Sequence, residues 1–141
     1  MATVAELREA ITANLNAHLT DIQATAYMLS NPTPPTIQVY PGGPAGDLEY
    51  DLAMARGLDQ WMFTVQAFVG VTGDIAAQKR LDVYIASSGP QSVKAAIESD
   101  PTLGGLGSCR VQRCGGYRTY TLETGSYLGA EWYVQVLATG G

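Results

Sequence analysis

Asp47, Glu49 and Asp51 alternate with apolar residues over a run of six. In an extended chain successive side chains point to opposite faces, so these three carboxylates would share one face. The spacing resembles the opening of an EF-hand calcium loop, but leucine stands at the sixth and twelfth positions, where that loop needs glycine and glutamate. Two interpretations remain: a solvated acidic strand or arm, or an acidic surface that repels a polyanion or pairs with basic residues of a neighbouring copy.

Arg110, Arg113 and Arg118 form a basic cluster interleaved with Tyr117 and Tyr120. Arginine and tyrosine are enriched at protein interfaces. Basic residues beside aromatic ones also suit single-stranded nucleic acid, but a chain with a net charge of −5 is a poor candidate for that class. The cluster predicts either a solvated hairpin or a contact surface. Opposite charges in separate segments favour a heterologous contact between identical subunits.

Residues for nucleophilic or metal chemistry are scarce. The chain has one histidine, His18, which falls near the apolar stripe of the first predicted helix. Cys109 and Cys114 fit neither a CxxC motif nor a bridge within one strand, and with one histidine they fall short of four zinc ligands. The glycine-rich run 104–107 follows a helix and precedes a strand, the reverse of a phosphate-binding loop. We expect no catalytic residue, cofactor or metal, and hence no enzyme.

The chain that positions these residues has 141 residues, which is about the size of one domain. We therefore expect a single domain over residues 1–141. Charged residues make up 15% of the chain, below the usual quarter or so, which hints at burial in an assembly. The most apolar stretch, Trp61–Val71, is too short to span a bilayer. Without a recognisable secretory signal, the expected setting is cytosolic and reducing.

Hydrophobic periodicity predicts an α+β fold, a mixed and mostly antiparallel sheet flanked by helices. Thr3 and Glu6 form a capping box for the first helix. Asp74 caps the second helix, Pro90 suits the first turn of the third, and Gly104 begins a flexible connector. The predicted elements are a helix over Val4–Leu19, strands Ile22–Leu29, Ile37–Tyr40, Asp47–Leu52 and Trp61–Val71, a helix reaching about Ile85, a third helix ended by Asp100-Pro101, and strands Ser108–Cys114, Tyr117–Glu123 and Tyr127–Ala138.

Several short motifs, in a shared order, resemble those of small neck proteins from long-tailed phages of actinobacteria. None of the motifs is catalytic, and the likeness extends from about Val4 to Ala138. The chain looks like a siphovirus tail terminator. The motifs are Tyr27-Met28, Asn31-Pro32, Pro34-Pro35, Tyr50-Asp51, Ala53-Met54, Arg56-Gly57-Leu58-Asp59, Trp61, Gly73-Asp74, Ala77–Asp82, Ser92–Ala96 and Leu128–Trp132.

This resemblance implies a homohexameric ring that caps the head-proximal end of the tail tube and stops its polymerisation. The ring would offer a surface to the head-completion protein, and genomic DNA would pass through it without specific binding. The implied location is the neck of the virion, after assembly in the host cytoplasm, with no membrane partner. Like charge would keep DNA from sticking in the channel of such a ring, so the hypothetical contact residues are Asp47, Glu49 and Asp51 facing the lumen or tube, Arg56 as a nearby interface cation, and Arg110, Arg113 and Arg118 toward a subunit or partner.

Three other classes stay open at the level of sequence. A head-completion or connector (stopper-type) protein on the head side of the neck would share the size, acidity and ring symmetry. A small ligand-binding α+β domain is the third candidate, and an enzyme is the last.

Overall fold

The computed structural model describes residues 4–20, 22–27, 35–41, 58–71, 75–105, 107–122 and 125–139. The predicted strand Asp47–Leu52, the cation Arg56 and the proposed caps Thr3 and Asp74 lie outside these residues. The elements, in chain order, are α1 (Val4–His18), β1 (Gln23–Thr25), β2 (Thr36–Pro41), β3 (Leu58–Val71), α2 (Ile75–Tyr84), α3 (Val93–Ile97), a 3-10 turn (Leu103–Gly105), β4 (Gly107–Leu122) and β5 (Gly125–Thr139).

The five strands form one sheet in the order β1-β2-β3-β5-β4. β1 pairs with β2 in parallel, and every other neighbouring pair is antiparallel. A mixed, mostly antiparallel sheet with helices confirms the predicted α+β class. The first strand is shorter than the predicted Ile22–Leu29, since pairing covers only Gln23–Thr25.

The helices and one face of the sheet together form the core. Leu7, Ile11 and Leu15 recur every four residues along α1 and are fully buried, which confirms the predicted apolar stripe. They join alternating residues of the central strands, such as Phe63 and Val134, in one hydrophobic cluster. Burial of each large side chain contributes about 1.5–3 kcal/mol, so this face of the sheet holds the helices in place.

The third helix begins later than the sequence predicts. Ser92 is its N-cap, and the Ser92 hydroxyl accepts a hydrogen bond from the Ala95 amide at 3.2 Å. Pro90 lies in the preceding turn rather than in the first turn of the helix, because the serine oxygen satisfies the amide that would otherwise be unpaired. At the other end of α3, the Glu98 carboxylate accepts a hydrogen bond from the Val111 amide at 3.0 Å, which ties the helix to β4.

The two predicted strands Ser108–Cys114 and Tyr117–Glu123 are wrong as separate elements, because β4 runs continuously through both. Pairing with β5 shifts by one residue between Gly115 and Arg118. Gly116 takes a positive φ of 63°, which glycine adopts without a steric penalty. The chain therefore absorbs the extra residue as a β-bulge and continues in the same strand.

Candidate functional site

The sheet has a second face, which we call the polar face, on the side away from the core cluster. Side chains of a strand alternate between the two faces, so the residues between the core positions of β2, β3 and β5 lie here. No described helix contributes to this face. Its members on these three strands are Thr36, Gln38, Tyr40, Met62, Thr64, Gln66, Phe68, Tyr127, Glu131, Tyr133, Gln135 and Leu137.

Polar residues from three strands meet in one row across this face. Gln38 on β2 is opposite Gln66 on β3, and Gln66 is opposite Glu131 on β5. The Gln38 amide donates to the side-chain oxygen of Gln66 at 2.7 Å, and both glutamines are buried. Buried polar groups are normally hydrogen-bonded, and the pairing of these two amides satisfies that requirement across β2 and β3.

Glu131 is the centre of a larger network. Its Oε1 accepts a hydrogen bond from the Tyr120 hydroxyl at 2.9 Å, and its Oε2 accepts one from the Tyr40 hydroxyl at 3.2 Å. The Arg118 Nη2 atom is 3.7 Å from the same Oε1. The side chain of Glu131 is only 12% exposed, so these contacts hold a largely enclosed carboxylate through charge-assisted bonds.

Two tyrosines of this network keep their protons at neutral pH. Burial raises the pKa of Tyr40 to about 12, and the Glu131 carboxylate beside it adds to the shift. Burial and the hydrogen bond to Glu131 also raise the pKa of Tyr120. A phenolate beside a carboxylate would be repelled, so both hydroxyls remain donors to Glu131.

Two β-bulges bring all three predicted arginines onto the polar face. Simple alternation would place Arg110 and Arg118 on one face and Arg113 on the other. The register on β4 shifts by one residue between Val111 and Arg113 and again between Gly115 and Arg118. The first shift turns Arg113 to the polar face, and the second returns Arg118 to it.

Each of these arginines is held by a side chain on this face. Arg110 donates from Nε to the Gln135 side-chain oxygen at 3.2 Å. The Arg113 guanidinium lies 5.1 Å from the centre of the Tyr133 ring, a cation–π distance. The Arg118 guanidinium stacks at 4.6 Å on Tyr120 as well as facing Glu131. All three side chains are exposed. We call them the arginine row.

The structure therefore brings Arg110, Arg113 and Arg118 together, while Asp47, Glu49, Asp51 and Arg56 lie outside the described residues. Sequence reasoning missed Glu131 and its tyrosines. The alternating polar residues of β3 and β5 were a usable signal for a second, polar sheet face. This alternation does not reveal which strands pair, so it could not show that the polar residues of β2, β3 and β5 lie side by side.

The residues considered for other chemistry lie apart from this site. Cys109 is buried and Cys114 is exposed, and both are free thiols. His18 approaches the Gly89 carbonyl at 3.5 Å. In the described part of the chain no three histidine, cysteine or acidic side chains form a metal-binding group. None of the described helices has the length and apolar character needed to cross a membrane.

A shallow groove of about 290 Å³ lies between α2 and the turn that precedes α3. Lys79, Arg80, Val83, Tyr84 and Gln91 line it. The α2 residues that reach the core do so from the face opposite the arginine row, so the groove and the row are separate surfaces.

No model of a known protein family matches the chain, and a search of curated proteins returns no match.

Proposed function

We propose that the chain is a structural virion protein, a tail terminator whose homohexameric ring caps the head-proximal end of a phage tail tube. The observation that carries the proposal is the arginine row. Three exposed guanidiniums are aligned by two bulges and held by Gln135, Tyr133 and Tyr120 on a chain whose net charge is −5. A pre-oriented cationic surface on an acidic protein is suited to binding an acidic protein surface.

Ring formation requires two different, complementary surfaces on each subunit. The arginine row supplies one that is positive, rich in arginine and tyrosine, and exposed. The chain has 13 acidic and 8 basic residues, so a second copy carries an excess of negative charge that can attract the positive arginine row. Identical subunits can therefore associate head to tail, and the rotation between them closes the ring.

Termination follows from the asymmetry of such a ring. A tube grows because each exposed end is a template for the next ring. The terminator binds that end on one side and presents a different surface on the other, so growth stops and the head-completion protein binds instead. Asp47, Glu49 and Asp51 are the proposed lumen or tube-facing carboxylates, because like charge discourages DNA from sticking as it passes.

The most direct biochemical test adds the purified chain to polymerising tail tube protein of the same phage. We expect shorter tubes with one blunt, capped end in negative-stain images. As a control, the Arg110→Glu and Arg113→Glu double variant should leave tube length unchanged. Tubes that grow normally in the presence of the wild-type chain would contradict the proposal, and binding to the head connector alone would favour a head-completion protein.

A further inference from the structure

The groove between α2 and the turn before α3 combines apolar surface with positive charge. Val83 lines it with 53% of its surface exposed, and the fully buried Tyr84 forms part of the same lining. Lys79 and Arg80 also line the groove, and both side chains are exposed. No acidic side chain is among the described residues that line it. A ligand that fits this groove therefore carries an apolar group and a negative charge close together.

The two cations of the groove are not neutralised within the described part of the chain. The ion pairs found there involve neither Lys79 nor Arg80. Asp82, the acidic residue of α2, instead accepts a hydrogen bond from the Tyr117 hydroxyl at 3.1 Å. This local excess of positive charge, on a chain whose net charge is −5, favours a partner that supplies carboxylates.

Gln91 lines the groove from the turn before α3 and adds a hydrogen-bond acceptor. Its Nε2 atom donates to the Thr20 hydroxyl at 2.9 Å, whereas its Oε1 atom is buried and has no hydrogen-bond partner among the described residues. Buried acceptors are normally paired, so rotation of this side chain toward an N–H group in the groove would satisfy the oxygen. A peptide backbone supplies such an N–H group, and a free carboxylate does not.

The length of the surface also favours a peptide. A second hollow, of about 130 Å³, adjoins the groove, and Arg80 lines both of them. Ala76 lines the second hollow and Tyr84 the groove. These two residues are about 12 Å apart along the axis of α2, a distance that about four residues of an extended chain cover. A single small anion would occupy one hollow and leave the other empty.

We propose that the groove binds a short acidic segment of a partner protein. An aliphatic side chain of that segment packs against Val83, its carboxylates face Lys79 and Arg80, and a backbone N–H group bonds to Gln91. Nucleic acid is disfavoured because two cations neutralise few phosphates. The choice of a different protein over a second copy rests on the proposed function, which assigns subunit contacts to the arginine row on a separate surface.

The test uses a terminally capped, fluorescein-labelled hexapeptide in which leucine and glutamate alternate. Two control peptides carry the same label, with serine in place of each leucine or lysine in place of each glutamate. Fluorescence anisotropy measures their binding to the full chain and to two groove variants, Val83→Ser and the double variant Lys79→Gln with Arg80→Gln. Circular dichroism and the melting temperature verify that each variant is folded.

The wild type should bind the leucine–glutamate peptide about tenfold more tightly than either control peptide, because the groove takes up both features. Each groove variant should lose about tenfold in affinity for the same reason. Ile75→Ser removes another exposed aliphatic side chain of α2 and should bind like the wild type. Ala13→Glu with Gln112→Glu, at exposed positions of α1 and β4, lowers the net charge by the same amount as the double groove variant and should also bind normally.

Four outcomes would overturn the inference. Wild-type chain that binds no peptide at millimolar concentration would reject the groove as a peptide site. Equal binding of the serine and leucine peptides would reduce the interaction to general charge attraction. Unchanged affinity in either groove variant would place the peptide elsewhere. Groove variants that lose self-association in native mass spectrometry would make a second copy the occupant.

Failure of this inference is distinguishable from failure of the proposed function. Peptide binding is measured without tail tubes, so its loss rejects the groove and leaves tail termination to the tube-length test. Conversely, normal peptide binding by a chain that leaves tube length unaltered would retain the groove and reject tail termination.

Discussion

Arg118 lies opposite Gly129 in the register of β4 and β5, yet its Nη2 atom is 3.7 Å from Oε1 of Glu131, two residues further along β5. The bulge between Gly115 and Arg118 directs the arginine to the polar face. This contact, together with the stacking of Arg118 on Tyr120 at 4.6 Å, joins the arginine row to the tyrosine network around Glu131. The stability of the sheet and the orientation of the exposed cations are therefore coupled.

Replacing Glu131 by alanine should lower the free energy of unfolding by about 1–3 kcal/mol, because the Tyr40 hydroxyl loses the Glu131 acceptor and the Tyr120 hydroxyl keeps only the Gly116 carbonyl, at 2.7 Å. Glu131→Gln should cost less, since an amide oxygen still accepts a hydrogen bond. Urea denaturation measures both. The control Gln112→Ala, at an exposed β4 position, should stay within about 0.5 kcal/mol of the wild type. Equal effects of all three changes would contradict a network centred on Glu131.

Gly129→Ala should destabilise the sheet by about 1–3 kcal/mol or more, because no room exists for a methyl group there. An added Cβ would lie 2.2 Å from the Ala67 carbonyl oxygen and 3.2 Å from the Tyr120 ring. The matched change Gly115→Ala meets the movable Tyr133 ring at 3.3 Å and should cost less. Thermal melts of the two variants compare them, and a fully stable Gly129→Ala protein would rule out this close packing.

Stability should fall as pH rises above about 10. The pKa of Tyr40 is about 12 in the folded chain and about 10 when unfolded, so between these values the unfolded state binds fewer protons. Deprotonation therefore favours unfolding, and the contribution is fully present below pH 10. Urea denaturation between pH 9 and 12 should show the decline, and Tyr40→Phe should make it less steep. An unchanged slope in that variant would contradict the assignment.

The two thiols should react at different rates in the folded protein. Burial raises the pKa of Cys109 to about 11, and the carboxylates of Glu98 and Asp100 add to the shift, whereas Cys114 is exposed. Iodoacetamide at pH 8 should modify Cys114 first, and both thiols after denaturation. Peptide mass spectrometry assigns the sites. Rapid modification of Cys109 in the native chain would show that the face of β4 toward α3 is open.

Local patterns were sufficient where a structure depends on neighbouring residues. The four-residue spacing of Leu7, Ile11 and Leu15 predicted α1, because a helix face is determined by its own sequence. The α+β class was also predictable, since the alternation of apolar and polar residues that indicates a strand can be read within each segment alone. The continuous β4 was not, because Gly115 and Gly116 are compatible with a turn as well as with a bulge, and pairing with β5 decides between them.

The candidate site was predictable only in part. The sequence identified Arg110, Arg113 and Arg118 as a cluster, but their common face depends on bulges whose positions are determined by the partner strand. Glu131 was not predicted, because Tyr40 is 91 residues away on β2, and Tyr120, 11 residues away, reaches it only through the bulged pairing of β4 with β5. Contacts between distant strands are a property of the folded sheet, which periodicity along one segment does not reveal.

We propose that this chain stops tail-tube growth, and electron microscopy of lysates from a phage lacking its gene tests that proposal. We expect overlong, headless tubes beside filled heads. Tails of normal length that fail to join heads would instead assign the chain to head completion. Intact, infectious virions would contradict any role in the neck.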